Sequence, residues 1–212
     1  DYLAQSFVED GWSMKKLIRR IVGSKFYRMS STPTPEGQER DIENLFLHRM
    51  RVRRLEGEAI RDAMLSLSGR LDSRQYGVPV PLHLTDFLEG RGRPAVSGPL
   101  DGDGRRSVYV AVRRNFLSPM MLAFDTPSPF STVGRRTVSN VPAQALILLN
   151  DPFVHQQAQL WARRVLSQPD DSTHRVRSMY RSAFGREPTS DELQRSESFV
   201  ADQLKAKKGE ER

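Results

Sequence analysis

Residues 53–69 read Arg-Arg-Leu-Glu-Gly-Glu-Ala-Ile-Arg-Asp-Ala-Met-Leu-Ser-Leu-Ser-Gly. Apolar residues recur at helical spacing and Gly69 is a stop signal, so the stretch predicts a helix that starts at about Asp41 or Arg51 and ends at Gly69. At about 100° per residue, Leu55, Ala59, Ile60, Ala63, Met64 and Leu67 define one apolar face with Glu56 near its centre. A carboxylate that faces a core must be paired or protonated. Glu56 is therefore expected to be buried against an arginine of another element, from the Arg113/Arg114 or the Arg135/Arg136 pair. Glu58 and Asp62 fall on the opposite face at i, i+4, a mildly repulsive spacing that Arg54 and Arg61 offset.

Helical signals continue on both sides. Ser13 is a cap for a helix whose residues Met14, Leu17, Ile18, Ile21, Val22 and Phe26 make an apolar stripe, with Lys15, Lys16, Arg19 and Arg20 outside it. Downstream, Pro142 and Pro152 occupy first-turn positions, and Asp151 caps the second of these helices. That helix is expected to bury Val154, Ala158, Trp161, Ala162 and Val165. A hairpin comes next: Val176, Met179, Tyr180, Ala183 and Phe184 form one stripe, Gly185 ends it, and Thr189 to Glu192 is a capping box. Lys205 to Arg212 is expected to fray.

The intervening sequence is irregular. Asp72 to Gly104 holds six glycines and four prolines and shows no sustained period, a length at which a structureless loop is either functional or disordered. Ser107 to Val112 has the β-branched and aromatic content of one short strand, whose partner is sought in the flanking loops. The expected fold is thus mainly α, with long Gly/Pro-rich loops, one short strand or hairpin, and a C-terminal helical hairpin (169–212) packed on a main helical domain (1–168).

The chain has 212 residues, and 33 basic against 26 acidic side chains give a net charge of +7. This divides as +3, +3 and +1 over residues 1–71, 72–140 and 141–212, so no basic tail exists. Of the 33 basic residues 27 are arginine, many in adjacent pairs, a pattern that suits internal bidentate pairing with carboxylates better than one nucleic-acid groove. Nucleic acid is therefore not expected as a partner. The chain has no cysteine, which excludes a thiol nucleophile, iron–sulfur ligation and covalent haem attachment in this segment. Apolar runs such as Ala145 to Leu149 are far too short to span a membrane. The chain opens at Asp1 rather than Met and is expected to be part of a longer protein.

Several local patterns suggest chemistry without completing it. His48, His83, His155 and His174 are singletons with no metal-ligand spacing. Asp101-Gly-Asp-Gly-Arg-Arg lacks the downstream ligands of a calcium loop and reads as turn chemistry. Gly90-Arg-Gly-Arg-Pro could form an anion nest, but no helix N-terminus comes after it. Gly134-Arg-Arg-Thr-Val-Ser-Asn presents donors near a helix start; the favoured reading is that its arginines pin the loop to Glu56 or Asp125. No serine sits in a G-x-S-x-G elbow.

The runs Arg53-Arg-Leu-Glu-Gly-Glu-Ala-Ile-Arg-Asp-Ala-Met64, Glu89-Gly-Arg-Gly-Arg-Pro94, Asp101-Gly-Asp-Gly-Arg-Arg-Ser-Val-Tyr109, Val112-Arg-Arg-Asn115, Val141-Pro-Ala-Gln-Ala-Leu146, Asn150-Asp-Pro-Phe-Val154 and Tyr180-Arg-Ser-Ala-Phe-Gly-Arg-Glu-Pro-Thr189 resemble the planctomycete-specific C-terminal domain of unknown function. The resemblance covers nearly the whole chain. It implies an exported protein, periplasmic or at the cell surface, whose upstream domains include a cytochrome-c-like one; any haem would sit there, and no cofactor is expected in this segment. The family's polar signature falls on Glu56, Glu58, Arg61, Asp62, Arg105, Arg106, Arg113, Arg114, Arg135, Arg136 and Asn150, with no catalytic role to carry over. The expected function is a non-catalytic interaction or scaffolding domain. Its partners would be the upstream domains, an anionic polysaccharide or another cell-surface protein. The rival is a carbohydrate- or anion-binding or hydrolytic site in a cleft between the 72–104 loop, Arg135/Arg136 and the Glu56 helix.

Overall fold

Side-chain caps open most of the helices in the computed structural model, which describes residues 1–168 and 171–210. By contact, residues 1–54 and 55–212 form two units. In the first, α1 (Tyr2–Glu9) and α2 (Met14–Val22) pack on each other. Ser13 Oγ accepts the Lys16 N–H at 3.4 Å to open α2. Arg20 ties the pair by donating to Asp10 at 2.8 Å and to the Tyr2 hydroxyl at 3.1 Å. A short α3 (Pro35–Arg40) comes next, capped by Thr34. The helix expected from Asp41 or Arg51 does not start there: the Asp41 carboxylate accepts the Leu45 and Phe46 N–H groups at 2.7 and 2.8 Å, and Asn44 and Leu47 take left-handed backbones.

The second unit is built on α4 (Gly57–Ser68), which ends on Gly69 with φ +79°. Then come α5 (Pro119–Ala123), α6 (Pro142–Asn150), α7 (Pro152–Leu166), α8 (Ser172–Phe184) and α9 (Ser190–Glu210). Asp151 Oδ1 accepts the Phe153 N–H at 2.8 Å, as expected of the α7 cap. The capping box is also in place: Thr189 N–H donates to Glu192 at 2.8 Å and Glu192 N–H to Thr189 Oγ1 at 3.3 Å. Helix α9 continues to Glu210 across part of the segment expected to fray; 211 and 212 lie outside the described residues. The domain boundary expected after residue 168 falls at 169–170, also outside them; α8 contacts α9, α7 and α4.

The fold is mainly helical, and no sheet forms among the described residues. The strand expected over Ser107 to Val112 is reduced to a 3₁₀ turn at Ser107–Tyr109 and one parallel bridge between Val80 and Val110. Val80 N–H donates to Tyr109 O at 2.9 Å and Ala111 N–H to Val80 O at 2.8 Å. These bonds stitch the 72–104 loop to residues 109–111, and a second stitch runs from Asp72 N–H to Gly104 O at 2.8 Å.

Leu65, Met120, Phe124 and Phe153 make the core, with Ile60, Met64, Leu71, Leu100, Ala123, Ile147 and Val154 packed around them. The faces of α4 and α7 that meet there differ from the sequence expectation. On α4 the buried line is Gly57, Arg61, Leu65 and Ser68, while Ala59 and Ala63 are exposed. On α7 it is Phe153 and Gln157, with Trp161 and Val165 half-buried and Ala158 and Ala162 exposed. A buried hydrogen bond from Ser68 Oγ to Gln157 Oε1 at 2.7 Å joins the two lines.

Candidate functional site

Arg61 is 7% exposed and sits one turn below the start of α4, where it faces the loop that returns from residue 101. Its Nη2 donates to Asp101 O at 2.7 Å, and its Nη1 to Arg105 O at 2.9 Å and Ser107 Oγ at 3.1 Å. The guanidinium also lies over the Phe153 ring, 5.4 Å from its centroid. Burial lowers the Arg61 pKa from its ordinary value, while the charges of Asp62 and Asp101 oppose that shift. One planar cation with forked donors thus bonds two buried carbonyls, that of Asp101 also accepting the Gly104 N–H at 3.1 Å.

The neighbouring groups tighten the same loop. Asp62 accepts from Ser107 N–H and Ser107 Oγ, both at 2.7 Å, and from Arg106 Nε at 3.4 Å. Asp101, 7% exposed, receives Arg70 Nη2 at 2.8 Å on one oxygen and the Asp103 N–H at 3.1 Å on the other. This is the turn chemistry expected of the Asp-Gly-Asp-Gly run. The approach is close enough to require glycine: a Cβ on Gly102 (φ +60°) would lie 2.6 Å from Arg61 Nη2, and one on Gly104 (φ +70°) 2.1 Å from Arg70 O. Arg105 stacks on the Tyr109 ring at 4.5 Å and donates to Tyr76 O at 2.7 Å.

A second clamp lies at the N-terminus of α4. Arg136 meets Glu58 through two hydrogen bonds of 2.8 and 2.9 Å and stands 3.3 Å from Glu56. The Arg136 hydrogen bonds hold the Glu58 carboxyl below its ordinary pKa, against burial that acts to raise it. Asp125 anchors the same loop by accepting Ser139 N–H at 2.7 Å and Ser139 Oγ at 2.8 Å.

Beside the first clamp lies a cleft of about 180 Å³. Its walls are largely apolar: Pro81, Leu82, Leu100, Val110, Ala111, Val112, Phe116, Met120 and Phe153. Glu58, Arg61, Ser107, His83 and Asp151 also reach it, but each is engaged by the protein. Among the described residues no group of three or more His, Asp or Glu is placed to hold a metal ion.

A family model described as protein of unknown function (DUF1553) matches residues 1–200. The chain belongs to the DUF1553 family. No curated protein and no solved structure matches it. Of the polar positions singled out by the resemblance, the structure gathers Arg61, Asp62, Arg105 and Arg106 in the first clamp and Glu56, Glu58 and Arg136 in the second. Glu56 corrects the sequence reading: it is the N-cap of α4 and its side chain is 60% exposed, because the helix begins at Gly57 and its buried line starts there. Arg113, Arg114 and Arg135 are exposed and stand outside both clamps. Asn150 makes a local bond to Leu146 O at 2.8 Å within α6. Sequence reasoning missed Ser107, Asp101, Arg70 and Phe153. A signal for them existed in Gly102 and Gly104, whose flanking polar residues mark a loop pressed against another element.

Proposed function

We propose that this DUF1553 chain is a non-catalytic interaction and scaffolding module of an exported multidomain planctomycete protein, and that residues 1–54 carry its docking face for the upstream domains of the same polypeptide. One observation carries the reading. No apolar side chain within residues 1–54 is buried, although α2 has a complete amphipathic stripe in which Met14, Ile18, Ile21 and Val22 are 59, 53, 39 and 41% exposed. A unit of that size with its apolar stripe in water lacks the burial that would hold it, so the stripe is complementary to something else. The cytochrome-c-like domain and its haem, which the family resemblance implies, belong among those upstream partners. A carbohydrate- or anion-specific or hydrolytic site has less support: Arg135 and Arg136 do not line the cleft, and the titratable groups that do are engaged internally.

Hydrogen exchange on the full-length polypeptide and on the isolated 1–212 chain tests this. Amides of α2 should exchange at least tenfold more slowly in the full-length protein. Equal exchange in the two, or strong protection of α2 in the isolated chain, overturns the reading.

A further inference from the structure

A groove lies where the end of α4, the last turns of α7 and the middle of α8 converge. It has a volume of about 240 Å³, and Ser66, Trp161, Arg164, Gln168, Ser178 and Ser182 supply its polar wall. That exceeds the ~150 Å³ that holds a benzene-sized ring. Unlike the cleft beside Arg61, this groove is largely polar and its polar groups are open. The Ser178 hydroxyl and the Trp161 indole N–H make no hydrogen bond among the described residues, and neither is a buried atom, so both meet solvent. The Ser66 hydroxyl and the Gln168 amide also have no partner among those residues, and both side chains belong to exposed residues.

Arg164 supplies the charge. Its Nη1 donates to Ser66 O at 3.4 Å and to Leu67 O at 3.3 Å, carbonyls of the last turn of α4, and so offsets the negative end of that helix. Its Nε and Nη2 have no partner among the described residues, and no carboxylate lines the groove. Arg70 and Arg136, by contrast, each meet a carboxylate at 2.8 Å. Beside the groove, Arg175 donates to Gln168 O at 3.2 Å and keeps a buried Nε unpaired. An anionic group that enters therefore meets a guanidinium with free donors and no acidic side chain on the wall to repel it.

We propose that the groove binds a sugar acid, a pyranose ring bearing one carboxylate, with the carboxylate on Arg164 and ring hydroxyls on Ser66, Ser178 and Gln168. A guanidinium matches a carboxylate, and hydroxyl and amide groups, which both donate and accept, match the hydroxyls of a sugar. This site is independent of the docking reading, since every group in it belongs to residues 55–212.

The test is ligand-observed NMR and calorimetry on the 1–212 chain at low salt with glucuronate, glucose and acetate. Glucuronate should bind saturably, and glucose and acetate each about tenfold more weakly, since each offers half of the recognised chemistry. Arg164→Gln should weaken glucuronate about tenfold and leave glucose unchanged, the size expected for a charged hydrogen bond. Ser178→Ala should weaken glucuronate about fivefold and leave acetate unchanged, the size of a neutral one. Absence of glucuronate binding, an unchanged glucuronate affinity in either variant, or glucose or acetate binding as tightly as glucuronate overturns the proposal. Ser178→Ala removes one solvent-facing hydroxyl and decides the matter even if Arg164→Gln does not fold.

Discussion

Replacing Arg61 by methionine removes the donors that hold residues 101–107 on α4 and leaves a side chain of similar length to pack on Phe153. Two backbone carbonyls, Asp101 O at 2.7 Å and Arg105 O at 2.9 Å, lose their charged partner. Hydrogen bonds to a charged group are worth about 1.5–3 kcal/mol each, so the gross loss is ~3–6 kcal/mol. Ser107 Oγ is less affected, because it keeps Asp62 at 2.7 Å. Against the loss stands the cost of burying a guanidinium, which the substitution relieves. The net destabilisation should be about 3 kcal/mol, a large share of a domain stability of ~5–15 kcal/mol. For a domain of this size it lowers the melting temperature by roughly 6–12 °C. Arg61→Lys, with a compact ammonium in place of the fork, should lose about half as much. Urea unfolding and calorimetry at neutral pH measure both. A methionine variant within 0.5 kcal/mol of the parent, or more stable, or a lysine variant worse than methionine, would refute the reasoning.

The same geometry gives two more outcomes. Gly102→Ala should cost about 1–2 kcal/mol for its left-handed backbone, plus a steric part, because its Cβ would sit 2.6 Å from Arg61 Nη2. In the Arg61→Met background only the backbone part should remain, so a double-mutant cycle that shows strict additivity counts against the close approach. The Glu58 carboxyl is held below its ordinary value of about 4.5, chiefly by Arg136. A depressed carboxyl contributes stability that is fully present above that ordinary value and is lost as pH falls through the lowered one. Arg136→Gln should move the Glu58 midpoint up towards 4.5 in a carbon-detected NMR titration, and an unmoved midpoint would sink the assignment.

Several helix ends, though not the start of α4, were legible in the sequence because capping is local chemistry. Ser13, Asp151, Gly185 and the Thr189–Glu192 box each act within about one turn of the residue that reveals them. The faces of the helices were not, because a face is chosen by its partner. Periodicity on α4 selects Leu55, Ala59, Ile60, Ala63, Met64 and Leu67, of which Ile60 and Met64 do pack on the core, yet the fully buried line Gly57, Arg61, Leu65 and Ser68 contains one large apolar residue. Gly57 belongs there because a Cβ would come within 3.1 Å of Phe124 Cβ. Ser68 and Gln157 satisfy each other across the α4–α7 contact, so polar residues occupy positions that a hydropathy count assigns to solvent. The same reasoning reverses the sign of the buried charge. The sequence reading placed a carboxylate, Glu56, in the core, whereas the structure places a cation there.

That reversal has a common physical cause with the arginine-rich composition. Long segments without a ladder leave backbone carbonyls that need donors, and a carboxylate can only accept. A lysine offers donors from one compact point, whereas a guanidinium offers five in a plane and holds its charge when buried. Arg61 serves the carbonyls of residues 101 and 105, Arg105 that of Tyr76, and Arg49 that of Ile42. These side chains do within irregular backbone what a neighbouring strand does in a sheet. Part of the arginine content is thus a consequence of how the loops are held. Replacing loop-facing arginines by lysine, which leaves net charge untouched, should therefore destabilise this chain, whereas the same exchange at exposed Arg113 or Arg114 should not.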